Sequence, residues 1–200
     1  MDFPDHSFAG YWYALGKFVH RYAEIEATMH QILRIVSGTS VLTSKVLFSG
    51  VRVRGAADTI KRFYSASGQL VPNDLERAFE RIGEITKIRD RLLHNGINFE
   101  DGKAIVTDEN KNFSARAFKH TISIKALDDL ESDAITLNAC LVKFWIECER
   151  PDLIESAQYQ NTIEAAQRPW LYKPPKPMKQ RAVPRDPARE NKSPPQSSQA

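Results

Sequence analysis

Apolar residues recur every three or four positions through most of the first 150 residues, the spacing of helices that bury one stripe. Phe18, Tyr22, Ile25, Met29, Ile32, Leu33 and Val36 carry the pattern through a first helix from about Ser7 to Ser37, and Gly38 stands where a helix end favours glycine. A second helical region spans roughly Ser40 to Ser67. Gly50 and Gly55 interrupt it, which predicts two shorter helices or one bent one, with Ala56, Ile60, Phe63 and Tyr64 inward. A third helix starts after Pro72, with Asn73 as N-cap and Glu76 placed for a capping box. It runs through Ala78, Phe79, Ile82, Ile85, Ile88, Leu92 and Leu93 to about Asn95, where Gly96 ends it.

The period then switches to two. Ile97–Glu100 and Lys103–Thr107 flank Asp101-Gly102, a hairpin signature. Phe118, His120, Ile122 and Ile124 alternate with Lys119, Thr121 and Ser123, which predicts one more strand with His120 on its apolar side. Helical spacing returns from about Ala126 to Glu149 (Leu127, Leu130, Ala134, Leu137, Leu141, Phe144, Cys148), and Pro151 closes that helix. The fold class expected is mainly all-α: a four-helix bundle core with a small β insertion between the last two long helices, plus a disordered C-terminal tail.

Composition divides the chain into three parts. Residues 1–150 form the helical domain. Residues 151–175 form a partly ordered extension, with a weak helix within Asp152–Gln167 and with Trp170 and Tyr172 docking back. Residues 176–200 are basic, rich in Pro, Ser and Gln and poor in large apolar side chains, so disorder is expected there. Residues 171–200 hold seven Lys/Arg against Asp186 and Glu190, which leaves 21 basic and 23 acidic residues among the first 170. The pI of 8.8 therefore comes from the tail and does not mark the helical body as a basic nucleic-acid binder.

Cys140 and Cys148 lie eight residues apart in one helical pattern, ~12 Å along the axis, too far for a disulfide. Two free thiols suit a reducing compartment. The opening residues carry no basic region followed by an apolar run, and no stretch has the length and apolarity of a membrane span, so a cytoplasmic protein is expected. Gly-rich phosphate loops, zinc-spaced Cys/His pairs, Gly-x-Ser-x-Gly and His-Glu-x-x-His are all missing, so neither a metal nor a cofactor is expected.

Candidate chemistry concentrates in Arg89-Asp90-Arg91-Leu92-Leu93-His94, at the end of the third helix. With Leu75 as zero on the helical wheel, Leu93 returns near zero and Arg89 falls at about −40°, on the apolar side. A guanidinium there must find a partner or line a groove, because burying it unpaired costs several kcal/mol. His94 projects ~140° around and ~7.5 Å along from Arg89, so on one straight helix the two are not direct neighbours. Glu26 stands at the edge of the first helix's apolar stripe, while Glu24 falls on the opposite face. Two assignments stay open for Glu26: a half-exposed boundary residue, or an acid that orients a catalytic base or Arg. Arg52, Arg54, Lys61 and Arg62 make a local basic patch, which is a solvated face or a phosphate contact. Arg91 and Asn95 join Arg52 and Arg54 as candidate RNA contacts.

Position by position, Arg89, Asp90 and His94 match a motif of Arg, a polar residue, three variable residues and His. In this the chain resembles the HEPN superfamily, small helical domains of which many are metal-independent ribonucleases. The resemblance covers roughly residues 8–149, and the motif is its specific part. It implies a homodimer through the helix that carries Arg89 and His94, with the paired residues lining a shared cleft. It implies an acid on an early helix, for which Glu26 is the match. Gly96 stands where one branch of the superfamily carries a Tyr, so regulation by nucleotidylation of such a Tyr is not implied, and the β hairpin is an elaboration.

The expected activity is metal-independent RNA cleavage through 2′-hydroxyl attack, in a toxin or defence effector. His94 would move protons, Arg89 would hold the phosphate, and Asp90 would orient either one. The alternative is a non-catalytic interaction or nucleotide/RNA-binding module on the same scaffold. Expected partners are RNA, a second copy and, in a toxin setting, a protein inhibitor; no membrane partner is expected.

Overall fold

The computed structural model describes residues 8–94, 97–100, 103–107 and 119–174. The expected disordered segment 176–200, with Asn95, Gly96 and Phe118, lies outside the described residues. Six helices and three strands follow in the order α1 (Ala9–Ser37), α2 (Val41–Phe48), α3 (Val53–Ala66), α4 (Asn73–His94), β1 (Ile97–Glu100), β2 (Lys103–Thr107), β3 (Lys119–Ile122), α5 (Ile124–Glu149) and α6 (Ala157–Ala166). The chain is mainly α with a small antiparallel sheet between α4 and α5, as its periodicity predicts.

Four helices make the core. α1 packs along α5 and α3, and α4 packs along the same two, so α1 and α4 face each other across the bundle diagonal. Side-chain pairs fix the directions. Lys17–Glu131 at 2.6 Å, Thr28–Asn138 at 2.8 Å and Arg34–Glu149 at 2.6 Å climb α1 and α5 together, so these two run parallel. Arg81–Asp133 and Asp74–Lys143 climb in opposite senses, so α4 is antiparallel to both. The C-terminal half of α4 therefore looks toward the N-terminal half of α1. Phe18, Ile25, Met29, Ile32 and Leu33 of α1 meet Ile82 and Ile85 of α4 and Leu127, Leu130, Leu137 and Leu141 of α5 in a dry interior. Each such side chain contributes about 1.5–3 kcal/mol by leaving water.

Helix ends follow local chemistry. Gly38 closes α1 in the left-handed region at φ 65°, and its N–H and that of Thr39 donate to the carbonyls of Ile35 and Arg34. Ser40 caps α2, its Oγ accepting from the Thr43 N–H. α4 starts one residue earlier than its sequence suggests. The Glu76 N–H donates to the Pro72 carbonyl, Asn73 is the first helical residue, and the Glu76 carboxylate accepts from Lys61 instead of closing a capping box. α5 likewise begins at Ile124, not Ala126. Ser123 becomes its N-cap, accepting from the Ala126 N–H, which takes Ile124 out of the predicted strand.

The sheet has order β1-β2-β3, and its register pairs Glu100 with Lys103 across the Asp101-Gly102 step and Val106 with His120. Phe99 of β1 packs on Phe8, Tyr11 and Trp12, which holds the sheet against the N-terminal end of α1.

Beyond α5, a 3₁₀ turn (Pro151–Leu153) leads into α6, and an extended strap of residues 168–174 returns to the bundle. Asp133, fully buried on α5, accepts from Arg81 Nη2 and from the backbone N–H groups of Leu171 (2.7 Å) and Tyr172 (3.2 Å). Arg81 also donates to the Tyr172 carbonyl at 3.2 Å and lies over the Trp170 ring, 4.9 Å from its centroid. Tyr172 is buried, so the docking expected from the sequence forms. Its anchor, an inward acid between Leu130 and Leu137, is the feature the sequence reading passed over. No helix among the described residues is long and apolar enough to cross a membrane.

Candidate functional site

The diagonal between α1 and α4 carries the cluster that contains Arg89. Tyr22 points from α1 into the bundle, and a phenol there needs a hydrogen-bond partner. Thr86 supplies it across the diagonal, with Tyr22 Oη and Thr86 Oγ1 2.8 Å apart. Thr86 spends its own proton on the Ile82 carbonyl at 2.7 Å, so Tyr22 is the donor to Thr86. This chain of two bonds fixes the Tyr22 ring.

Arg89 lies on that ring. Its Cζ stands 5.0 Å from the Tyr22 centroid, a cation–π placement. Nη1 donates to Asp90 Oδ1 at 2.8 Å, which fixes the plane of the fork. The side chain is 17% exposed, and its Nε is buried with no hydrogen-bond partner among the described residues. Arg89 thus presents to solvent only part of a guanidinium that is braced from below and from one side. Burial works to lower the Arg89 pKa, but the Asp90 hydrogen bond and the charges of Tyr22, Asp90 and Glu26 outweigh it and raise it. The Tyr22 hydroxyl is pushed up, first by burial, against the opposing pull of the Thr86 bond.

Glu26 is one turn beyond Tyr22 on α1 and half-buried. Its charge reaches both Tyr22 and Arg89. It forms no ion pair among the described residues, so it shapes the field around Arg89 without holding the fork; Asp90 does the holding. His94 is the exposed last residue of α4. Arg91 is also exposed, and its charge reaches the strap at Tyr172. Asn95 is outside the described residues.

Leu93 departs from its pattern. About five turns after Leu75 it returns to the core-facing side of α4, yet it is 41% exposed while Leu75 is buried. The apolar stripe of α4 therefore runs out into solvent between Arg89 and His94.

Arg52 and Arg54 stand at the start of α3, both exposed, and Arg52 occupies the N-cap position without a side-chain cap. Val51, just before them, takes His30 of α1 at 2.8 Å between its carbonyl and Nε2. His30 is one turn beyond Glu26. A path along α1 thus leads from Arg89 past Glu26 to two arginines at a helix N-terminus, the positive end of its dipole. Arg62 is exposed further along α3, while Lys61 is taken by Glu76.

Of the residues singled out in the sequence, Arg89, Asp90 and Glu26 come together, Arg52 and Arg54 stand apart at the start of α3, and His94 stands at the open end of α4. Tyr22 was placed on the apolar stripe of α1, but its support of Arg89 and the part played by Thr86 were not read from the sequence; their signal was two hydroxyl-bearing residues on facing apolar stripes. Two cavities lie elsewhere: ≈ 250 Å³ between the start of α4 and α5, beside Asp74, Cys140 and Lys143, and ≈ 170 Å³ beside Phe63 and Cys148. Cys140 and Cys148 are both free; burial raises the pKa of each, first of all causes. Among the described residues no three His, Cys, Asp or Glu side chains gather as a metal site would require.

The chain matches no protein-family model, no curated protein and no solved structure at a significant level.

Proposed function

We propose that this chain is an endoribonuclease of the HEPN kind, acting on RNA without a metal cofactor through a cleft shared by two copies. The observation that carries the proposal is Arg89. A half-buried guanidinium is stacked on Tyr22, oriented by Asp90, and stands next to an apolar helix end that surfaces at Leu93.

The spacing of Arg89 and His94 supports a second copy. Arg89 and His94 point ~140° apart on one helix, so within one copy they are not direct neighbours, and a facing second copy would bring them together more readily. Two copies of α4 crossing at Leu93 would cover that leucine and set the His94 of one copy beside the Arg89 of the other. In that cleft a ribose 2′-oxygen attacks the adjacent phosphorus as His94 takes its proton. The bond from phosphorus to the 5′-oxygen breaks, and that oxygen leaves with a proton from an imidazolium. The products are a 2′,3′-cyclic phosphate and a 5′-hydroxyl. Arg89 neutralises charge on the non-bridging oxygens, an effect that typically supplies several kcal/mol of transition-state stabilisation. Acid–base catalysis by His94 supplies ~10²–10⁴ in rate. Arg52, Arg54 and Arg91 would follow the strand's phosphates.

Wild type and His94→Ala, matched in melting and in oligomeric state, are incubated with mixed RNA. Cleavage by the wild type and its loss in the variant support the proposal. No cleavage by either protein, or equal cleavage by both, contradicts it.

A second assignment rests on the same two contacts. Arg89 already has an Asp partner and an aromatic ring, so it also suits a non-catalytic module that binds a phosphate or closes a dimer. RNA binding without cleavage, weakened by Arg89→Lys, would favour it, since lysine keeps the charge and loses the planar fork.

A further inference from the structure

α2 leaves most of its apolar side chains uncovered. With Val41 as zero at ~100° per residue, half-buried Ser44 and Phe48 sit at about 300° and 340°, toward the bundle. Leu42, Val46 and Leu47 sit at about 100°, 140° and 240°, on the outward side. They are 76%, 75% and 59% exposed, Val41 is 58% exposed, and no residue of this helix is buried. A helix on a protein surface normally turns polar side chains outward; this one turns outward leucine and valine.

The charge along the neighbouring sequence has one sign. From Ala27 to Ala57 the chain contains no Asp or Glu. Lys45 flanks the apolar face at about 40° on the same wheel, and Arg52 and Arg54 follow it seven and nine residues later in the chain; all three are exposed. An isologous contact with a second copy would set these cations against one another. An anionic bilayer surface reverses that sign. Three apolar side chains on a convex, two-turn helix can enter the interface, while the stems of Lys45 and the arginines lie along it with their charges at the phosphates. The length of α2, about 12 Å, suits lying in the surface and not crossing it.

We propose that α2 docks the protein on anionic membrane surfaces, with Leu42, Val46 and Leu47 inserted among lipid chains and Lys45, Arg52 and Arg54 at the headgroups. This departs from the expectation that there is no membrane partner, which rested on the lack of a long apolar run; a surface contact does not need one. The inference does not rest on the nuclease proposal.

Co-sedimentation of the full chain with vesicles tests it, comparing pure phosphatidylcholine with equal parts phosphatidylcholine and phosphatidylglycerol. The expected result is binding about tenfold or more tighter to the anionic vesicles, falling as salt is raised. Leu42→Asp combined with Val46→Asp lowers that affinity about tenfold or more, and Lys45→Glu alone weakens it in a chain with the core untouched. Three results overturn the proposal. One is no preference for anionic vesicles. Another is undiminished binding by both α2 variants, which assigns the contact to another part of the chain such as the basic tail. The third is a wild-type oligomer that the double variant dissociates, which makes a second copy the occupant.

Discussion

Asp133→Ala should loosen the molecule far from the proposed catalytic end and by a calculable amount. The Asp133 carboxylate is wholly buried and accepts from Arg81 Nη2 and from the N–H groups of Leu171 and Tyr172. Alanine leaves all three donors without this acceptor. Breaking a buried ion pair from one side costs about 3–5 kcal/mol. Arg81 keeps Glu84 as a partner and is 14% exposed, which places the cost near the lower end. The two orphaned N–H groups add to it unless the strap leaves and water takes them, so the net expectation is about 3–4 kcal/mol with the strap released. In a chain of this size that lowers Tm by roughly 6–16 °C. Differential scanning calorimetry reads the change. Trp170 fluorescence reads the release, in a chain with Trp12 and Trp145 replaced by Phe, as a red shift when the ring leaves Arg81. A Tm within about 2 °C of wild type, with unshifted Trp170 emission, would refute the assignment of Asp133 as the strap's anchor.

Further predictions follow from hydroxyls with opposite surroundings. Tyr11 Oη is buried with no partner, so Tyr11→Phe removes an unsatisfied group and should be neutral or stabilising, by up to about 1 kcal/mol in urea unfolding. Tyr22→Phe breaks the bond to Thr86 and should cost about 1 kcal/mol, while freeing the ring that supports Arg89. Burial raises the Tyr11 pKa from 10.0 to about 12. The unfolded chain then loses this proton near pH 10 and the folded chain keeps it to about 12, so stability is unaffected below that window and falls as pH rises through it. The fall attributable to Tyr11 is at most about 2–3 kcal/mol, and Tyr11→Phe should flatten the alkaline limb of a Tm–pH profile by that share.

The helical stripes made the bundle legible. α1, α4 and α5 each carry apolar residues at a spacing that only one periodicity fits, and Gly38 and Pro151 mark ends by backbone constraint. The hairpin register followed from the two-residue Asp-Gly step, and the pairing of Glu100 with Lys103 agrees with it. Residues with two compatible roles were harder to place. Asn73 caps or begins a helix equally well, and the Pro72 carbonyl decided between them. Ile124 fits a strand's alternation, but Ser123 caps a helix there. The site divides the same way. An arginine on an apolar face forecasts a held guanidinium, and Asp90 is its neighbour in sequence; that Tyr22 lies beneath it depends on the diagonal placement of α1 and α4, which no local pattern encodes. Exposure of Leu93 and of α2 is likewise a property of what the other helices leave uncovered.

Mass spectrometry of the ends left on a defined oligoribonucleotide, with EDTA present throughout, tests the central claim most directly. Wild type should leave 2′,3′-cyclic phosphate or 3′-phosphate facing 5′-hydroxyl ends, a 2′-deoxy substitution at the cut site should abolish the cut, and His94→Ala should leave the strand intact. Ends bearing a 5′-phosphate, cleavage that proceeds at the deoxy position, or a strict need for added Mg²⁺ would contradict a histidine-driven attack by the RNA's own hydroxyl.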